Sequence, residues 1–334
     1  MSSIALCGAG TIAGVHALVA RETSDRIVAV ASRSRERAQR LADSAGAEVV
    51  GYDDLPAGAD IVIVATPPSE HLAHTLAALD AGATVLVEKP LVRSLDEADR
   101  LMAAEGAERV VYAENLAFAP IVADFLTRAR TLGPLTHLEL RTLQSAPTWG
   151  GFLDPSWGGG VLFDLGVHPL ALAVLVARST GNGEVVSVAA TLTGDTTDLH
   201  ADVSLEFASG LRGRIICSWD GPESGVWDLQ ASSRTAVLRA DLRPTIEFEA
   251  NGEPIRRAAP TASIGILEEF GYVDQMRAVK ALAVDGRRTI MDVGFGRWIL
   301  EIVSACYLAA RTGESVPVPS GCDRSLTPWE LWRR

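Results

Sequence analysis

The sequence predicts an α/β domain built on a parallel sheet over residues 1–117, followed by an α+β domain with an open, mostly antiparallel sheet over residues 118–334. Three observations carry this. Short apolar strands alternate with helical patterns through the first third. The first of those strands runs straight into a glycine-rich turn. From about Phe118 onward, strand-like runs follow one another across tight turns with few helices between them. A length of 334 residues fits two domains.

In order along the chain, Ile4–Cys7 reads as a strand, Gly8-Ala9-Gly10-Thr11-Ile12-Ala13-Gly14 as a turn, and the residues to about Arg21 as a helix. Gly8 permits the tight turn and Gly10 a close approach to a pyrophosphate. The helix N-terminus offers unpaired N–H groups and a partial positive charge. The position of the turn after the first strand predicts the start of a Rossmann dinucleotide-binding domain; the competing reading is a plain strand–helix turn. The second strand, Ile27–Ala31, ends in Ser32-Arg33-Ser34-Arg35 and lacks the acid that usually takes a ribose 2′-hydroxyl. Ser32 as a donor, with Arg33 and Arg37 as cations, favours NADP(H) over NAD(H). The competing reading makes both arginines solvated helix residues. Asp60–Ala65 is a continuously apolar strand, as a central parallel strand should be. Thr66-Pro67-Pro68-Ser69 leads into a helix with Ser69 suited to its N-cap. His71 and His74 stand three apart on that helix without a nearby third ligand, so a polar or packing contact beside the cofactor is preferred to a metal. The strand Thr84–Val87 delivers Glu88-Lys89-Pro90. A helix from Leu95 to about Glu105 and a strand Arg109–Ala113 complete the series, ending at Glu114-Asn115.

Lys89 stands out by composition. Of 30 basic residues only Lys89 and Lys280 are lysines, and the other 28 are arginines. A lysine kept at the end of a buried strand points to chemistry that needs a compact ammonium of tunable pKa.

After a helix over Ile121–Arg130, strands are predicted at 136–143, 185–193, 202–208, 211–219, 226–232, 236–240, 245–250 and 253–256. Asn251-Gly252 marks a hairpin turn. Alternation leaves one sheet face for helices and one free. A helical insertion, Trp157 to Pro169, interrupts the strands. Three glycines give it a flexible N-terminus, and helical spacing sets Asp164 and His168 at i, i+4 on one face. A carboxylate beside an imidazole suits general acid–base work. A satisfied core pair, or a pair exposed to solvent, fits the same spacing. Trp149, Phe152 and Trp157 can stack on a sugar ring or pack in a core. Helices are also expected over 270–284 and 293–311, with a closing strand before Pro319.

Composition narrows the partners. A net charge of −12 with scattered arginines argues against nucleic acid or an anionic membrane. The apolar run Val161–Ala177 is broken by Asp164 and His168, so no membrane span is expected. Met1-Ser2-Ser3 leads directly into a strand, and Cys7, Cys217, Cys306 and Cys322 show no paired spacing, which predicts reduced thiols in a cytoplasmic protein.

These pieces together resemble the Gfo/Idh/MocA oxidoreductases, the glucose–fructose oxidoreductase and inositol dehydrogenase family. The resemblance rests on Gly8 to Ala13, Ala65-Thr66-Pro67-Pro68 with His71, Glu88-Lys89-Pro90, Asn115, and the GGGxLxDxGxH run ending at His168. It implies cofactor contacts at Gly8, Gly10, Thr11, Ile12, Thr66, Pro67, His71, Glu88, Lys89 and Asn115. It places Lys89 where nicotinamide meets substrate and favours a catalytic role for Asp164 and His168. The implied reaction is hydride transfer between nicotinamide and a carbinol or carbonyl carbon of a sugar, polyol or related small molecule. The implied assembly is a homodimer or homotetramer through the C-terminal sheet. Two departures stand out. Ala171 occupies a position where many relatives carry Asp, and no arginine accompanies Trp149–Trp157. Both make the expected substrate pocket of Lys89, Trp149, Phe152, Trp157, Asp164 and His168 less charged and more aromatic. Competing readings are a lyase or hydrolase using transient oxidation on a held cofactor, a cofactor-binding regulator, and a reductase of an aryl diol or imine.

Overall fold

The computed structural model describes residues 1–56 and 58–334. The described residues form two compact units: Met1–Phe118 with Pro260–Arg297, and Ala119–Ala259 with Trp298–Arg334.

The first unit alternates strand and helix: β1 (Ser3–Cys7), α1 (Thr11–Glu22), β2 (Arg26–Ala31), α2 (Arg35–Ala45), β3 (Glu48–Val50), β4 (Ile61–Val64), α3 (Pro68–Asp80), β5 (Thr84–Glu88), α4 (Leu95–Met102) and β6 (Val110–Ala113). The six strands lie in the order β3-β2-β1-β4-β5-β6, all parallel. Every residue of β4 and β5 is buried, because helices cover both faces of a parallel sheet. The order reverses between β1 and β4, so their C-terminal ends, at Gly8 and Ala65, flank the crevice where such sheets take ligands. Ser69 is not the N-cap of α3. Pro67 is, with Pro68 at the first helical position, where a missing N–H costs nothing.

The second unit begins with α5 (Pro120–Ala129) and β7 (Leu135–Leu143). It continues through α6 (Val161–Asp164), α7 (Val167–Ser179), β8 (Val185–Thr193), β9 (His200–Phe207), β10 (Arg212–Ser218), β11 (Val226–Ser233), β12 (Val237–Arg243), β13 (Glu247–Ala250) and β14 (Glu253–Pro254). The chain then forms α8 (Gly265–Glu269), α9 (Tyr272–Asp285), α10 (Val293–Thr312), β15 (Val316–Pro317) and α11 (Pro328–Arg333). Nine strands lie in the order β14-β13-β12-β11-β7-β10-β9-β8-β15. Among the described strands of this sheet, only the β7–β10 pair is parallel. Leu138, Leu140, Ile215, Cys217, Leu229 and Ala231 form the buried face, against which α7 packs on β7 and β10 and α5 on β12. The opposite face carries the ion pairs Arg141–Asp228, Arg239–Asp241 and Arg214–Asp202.

The expected single boundary at 117/118 needs a correction, because residues 260–297 return to the first unit. The reason is in α9, which packs against α1, β4 and β5. Lys280 anchors it: Nζ lies 3.0 Å from Asp25 Oδ1 and donates to Thr23 O at 3.0 Å. The second lysine therefore neutralises a carboxylate whose side chain is 0% exposed. Helix α10 is long and apolar enough to cross a membrane by length and composition, but 72% of its apolar 18-residue stretch is buried, as in a core helix. The four cysteines are unpaired.

Candidate active site

The first unit shapes a cradle at the C-terminal ends of β1, β4 and β5. Gly8 has φ +121°, and a Cβ there would lie 2.4 Å from Ala65 O, so no side chain fits between the two strand ends. A Cβ at Gly10 would meet nothing within 4 Å. Gly10 is the N-cap of α1 and offers no side chain to it. The first turn of α1 thus has no side-chain cap on its amides, as anion binding at a helix N-terminus requires.

Around this turn, the loops are held by groups that spend their hydrogen bonds on the protein itself. His71 is 1% exposed. Its Nδ1 lies 2.9 Å from Pro90 O and 3.2 Å from Leu91 O, and its Nε2 lies 2.9 Å from Thr66 O. Burial pushes the His71 pKa down against the pull of these carbonyls. His71 ties the Thr66-Pro67 loop to the segment after Lys89. Thr66 Oγ1 is buried and has no protein partner. Asn115 donates from Nδ2 to Phe270 O at 2.8 Å, fixing the end of β6 to α8. Glu88 is buried, with Oε1 2.8 Å from His16 Nε2 and Oε2 accepting from Lys89 N at 3.1 Å. Lys89 itself is half-buried. At the end of β2, Ser32 Oγ accepts from Ser34 N at 3.3 Å. Ser34 caps α2 by accepting from Arg37 N at 3.3 Å. Arg33 and Arg37 are exposed, and Arg33 Nη1 lies 3.1 Å from Glu70 Oε1.

In the second unit, Phe152 is the centre of an aromatic cluster. It meets Trp149, Trp157 and Trp219 edge-on, with ring centroids 5.0, 4.9 and 6.4 Å away. Trp149 is 47% exposed. The helical insertion is not one helix. It bends by 48° between Asp164 and Val167, with Asp164 at the end of α6 and His168 in the first turn of α7. Pro169 gives the reason. In a continuous helix it would break the ladder and clash with Leu165 O, but in the first turn of α7 it is tolerated. His168 is 5% exposed, its ring 5.7 Å from that of Trp227. Asp164 is half-buried. The glycine turn before it is clamped, not flexible. Asp198 accepts from Gly160 N (2.9 Å), Leu162 N (2.8 Å) and Tyr307 Oη (2.6 Å), and Val161 N donates to its backbone oxygen at 2.8 Å. A Cβ on Gly160 would lie 2.3 Å from that oxygen. Burial pushes the Asp198 carboxyl up, against these donors.

A model of the oxidoreductase family with an NAD-binding Rossmann fold matches residues 2–116, and one of the GFO/IDH/MocA C-terminal domain matches residues 123–236. The chain is 30% identical over 301 residues to dTDP-3,4-didehydro-2,6-dideoxy-alpha-D-glucose 3-reductase of Streptomyces violaceoruber, covering 84% of this chain and 87% of that one. The chain belongs to the Gfo/Idh/MocA oxidoreductase family. A 30% match over 207 residues to 1,5-anhydro-D-fructose reductase of Ensifer adhaerens covers 55% of this chain and 62% of that relative, under two thirds of its length. The crystal structure of GenD2 from gentamicin A biosynthesis, in complex with NAD, aligns at 28% identity with a TM-score of 0.82, covering 95% of this chain and 96% of that one.

The Gfo/Idh/MocA Rossmann domain takes a nicotinamide dinucleotide, and the residues present fit one. The Gly8–Gly10 turn, the bare N-terminus of α1 and the unpaired Thr66 Oγ1 converge on the same strand ends. Among the described residues, no group of three or more His, Cys, Asp or Glu side chains is arranged to hold a metal. Sequence reasoning did not single out His16, Glu70, Asp198, Trp227 or Tyr307. Helical phasing on α1 signals that His16 faces inward. Asp198 follows a Gly-Asp-Thr-Thr turn, and nothing local signals its long-range partners.

Proposed function

We propose that this Gfo/Idh/MocA enzyme transfers a hydride between nicotinamide C4 and a carbinol or carbonyl carbon of a sugar, polyol or related small molecule, with Lys89 and His168 as the catalytic pair. The observation that carries it is the β5 terminus, where Glu88 is buried, bonded to His16, and accepts from the Lys89 backbone N–H. This anchors the residue whose ammonium is to act. The bound nicotinamide supplies the hydride donor or acceptor. Lys89 stabilises the developing alkoxide, or polarises the carbonyl in the reverse direction. His168 takes or gives the hydroxyl proton, and Asp164 assists its orientation. Relatives named as sugar reductases support this substrate class. Lys89→Ala and His168→Ala should each lower turnover by about 10²–10⁴-fold, while cofactor dissociation constants stay within a few-fold. Near-normal turnover in both variants overturns the assignment.

The exposed Arg33 guanidinium at the end of β2, with Arg37 one helical turn on, supports NADP(H) as the favoured cofactor, with NAD(H) accepted. A second substrate reading rests on the Trp149–Phe152–Trp157–Trp219 cluster, whose aromatic surface suits an aryl diol or cyclic imine. A substrate panel containing both alongside neutral sugars separates the two. For assembly, we propose a cytoplasmic homodimer or homotetramer through the free face of the nine-stranded sheet. Sedimentation should give a dimer or larger, and Ile216→Asp on that face should dissociate it. A monomeric wild-type protein contradicts this.

A further inference from the structure

Strand β2 ends without an acid, yet a carboxylate reaches the same place from α3. Glu70, in the first turn of α3, sets Oε1 3.1 Å from Arg33 Nη1 and Oε2 3.6 Å from His74 Nε2. Glu70 Oε2 is inaccessible to solvent and has no hydrogen-bond partner. Tyr52 completes the cluster. Its hydroxyl accepts from Arg33 N at 3.3 Å, and its ring stacks on His74 at 4.4 Å.

Two cofactors make opposite demands here. A ribose with a free 2′-hydroxyl needs an acceptor. A 2′-phosphate brings about 1.5–2 negative charges and needs a cation, best a guanidinium fork. The site holds one of each, bonded to each other. The Arg33 side chain is 69% exposed, so the pair is weak and easily opened. We infer that Glu70 is the residue that sets cofactor choice. It supplies from α3 the carboxylate that β2 lacks, keeping NAD(H) acceptable, and by holding Arg33 it moderates the preference for NADP(H). This rests on the proposed nicotinamide-dependent function.

The test reads dissociation constants, not turnover, from quenching of tryptophan fluorescence by NADH and NADPH. Wild type should bind both. In Glu70→Gln, the ratio of the NADH to the NADPH dissociation constant should rise about tenfold, because one charge repelling the phosphate is gone and Arg33 is released. Arg33→Ala should weaken NADPH alone, and adding it to Glu70→Gln should abolish the gain. Thermal melts confirm that each variant is folded. A ratio unchanged within twofold in folded Glu70→Gln, or one shifted toward NADH, overturns the role of Glu70 and leaves the proposed function standing. A wild type that binds neither nucleotide overturns both.

Discussion

At the scale of single residues, the buried pair His16–Glu88 is the main investment in the first unit. His16 is 1% and Glu88 6% exposed, and Tyr272 from α9 meets the imidazole edge-on at 6.0 Å. Removing one partner of such a pair leaves the other desolvated and uncompensated. His16→Ala should therefore cost about 3–5 kcal/mol, measured as a lower urea midpoint at pH 7. A midpoint unchanged within error contradicts that. Burial pushes the Glu88 carboxyl up, but His16 and then Lys89 more than offset it, so its pKa lies below the ordinary 4.5. The native state thus binds its proton less readily than the unfolded chain does. The pair's stability is present above pH 4.5 and is lost as acid takes the pH down through the depressed pKa. The stability gap between wild type and Glu88→Gln should shrink over that window in urea titrations at successive pH values. Lys89 was legible as an oddity of composition and motif. Its anchoring was not, because His16 lies 72 positions from Glu88 and only the sheet brings them together.

At the scale of elements, the turn between Trp157 and α6 shows how a loop of glycines becomes rigid. Asp198 takes two amides and the Tyr307 hydroxyl at once. Asp198→Asn sets an amide donor against those amides and should cost about 1–3 kcal/mol, with faster hydrogen exchange at Gly160 and Leu162. Tyr307→Phe removes one bond of the three and should cost about 1 kcal/mol. Equal exchange rates in wild type and Asp198→Asn contradict the clamp. Gly160→Ala drives a methyl into the Asp198 backbone and should destabilise by at least about 1–3 kcal/mol. The bend before His168 was readable in principle, since Pro169 cannot sit in a helix interior. Periodicity alone ran α6 and α7 together because only Leu165 and Gly166 separate them.

At the scale of the whole molecule, the first unit depends on a segment that lies in sequence between the two stretches of the second. Helix α9 covers β4 and β5, and its Lys280 neutralises the buried Asp25. A fragment of residues 1–118 should therefore bind ANS and unfold without a cooperative transition, whereas the full chain unfolds cooperatively. A fragment with a sharp transition contradicts this. Lys280→Ala in the full chain should destabilise by about 3–5 kcal/mol, because it leaves the Asp25 carboxylate buried without its cation. By itself the sequence determined what is local or periodic. That includes the parallel strands β1, β2, β4, β5 and β6, though not the short edge strand β3, together with the glycine turn at β1, Glu88-Lys89-Pro90, the antiparallel hairpins and the family. Strand periodicity, turn chemistry and strand-end motifs are written in adjacent residues. Only the tertiary structure decided the return of 260–297 to the first unit, the Asp198 clamp, and the carboxylate that Glu70 brings to the end of β2. Each joins residues far apart in the chain, and an ion pair or hydrogen bond across such a separation leaves no periodic trace in the sequence.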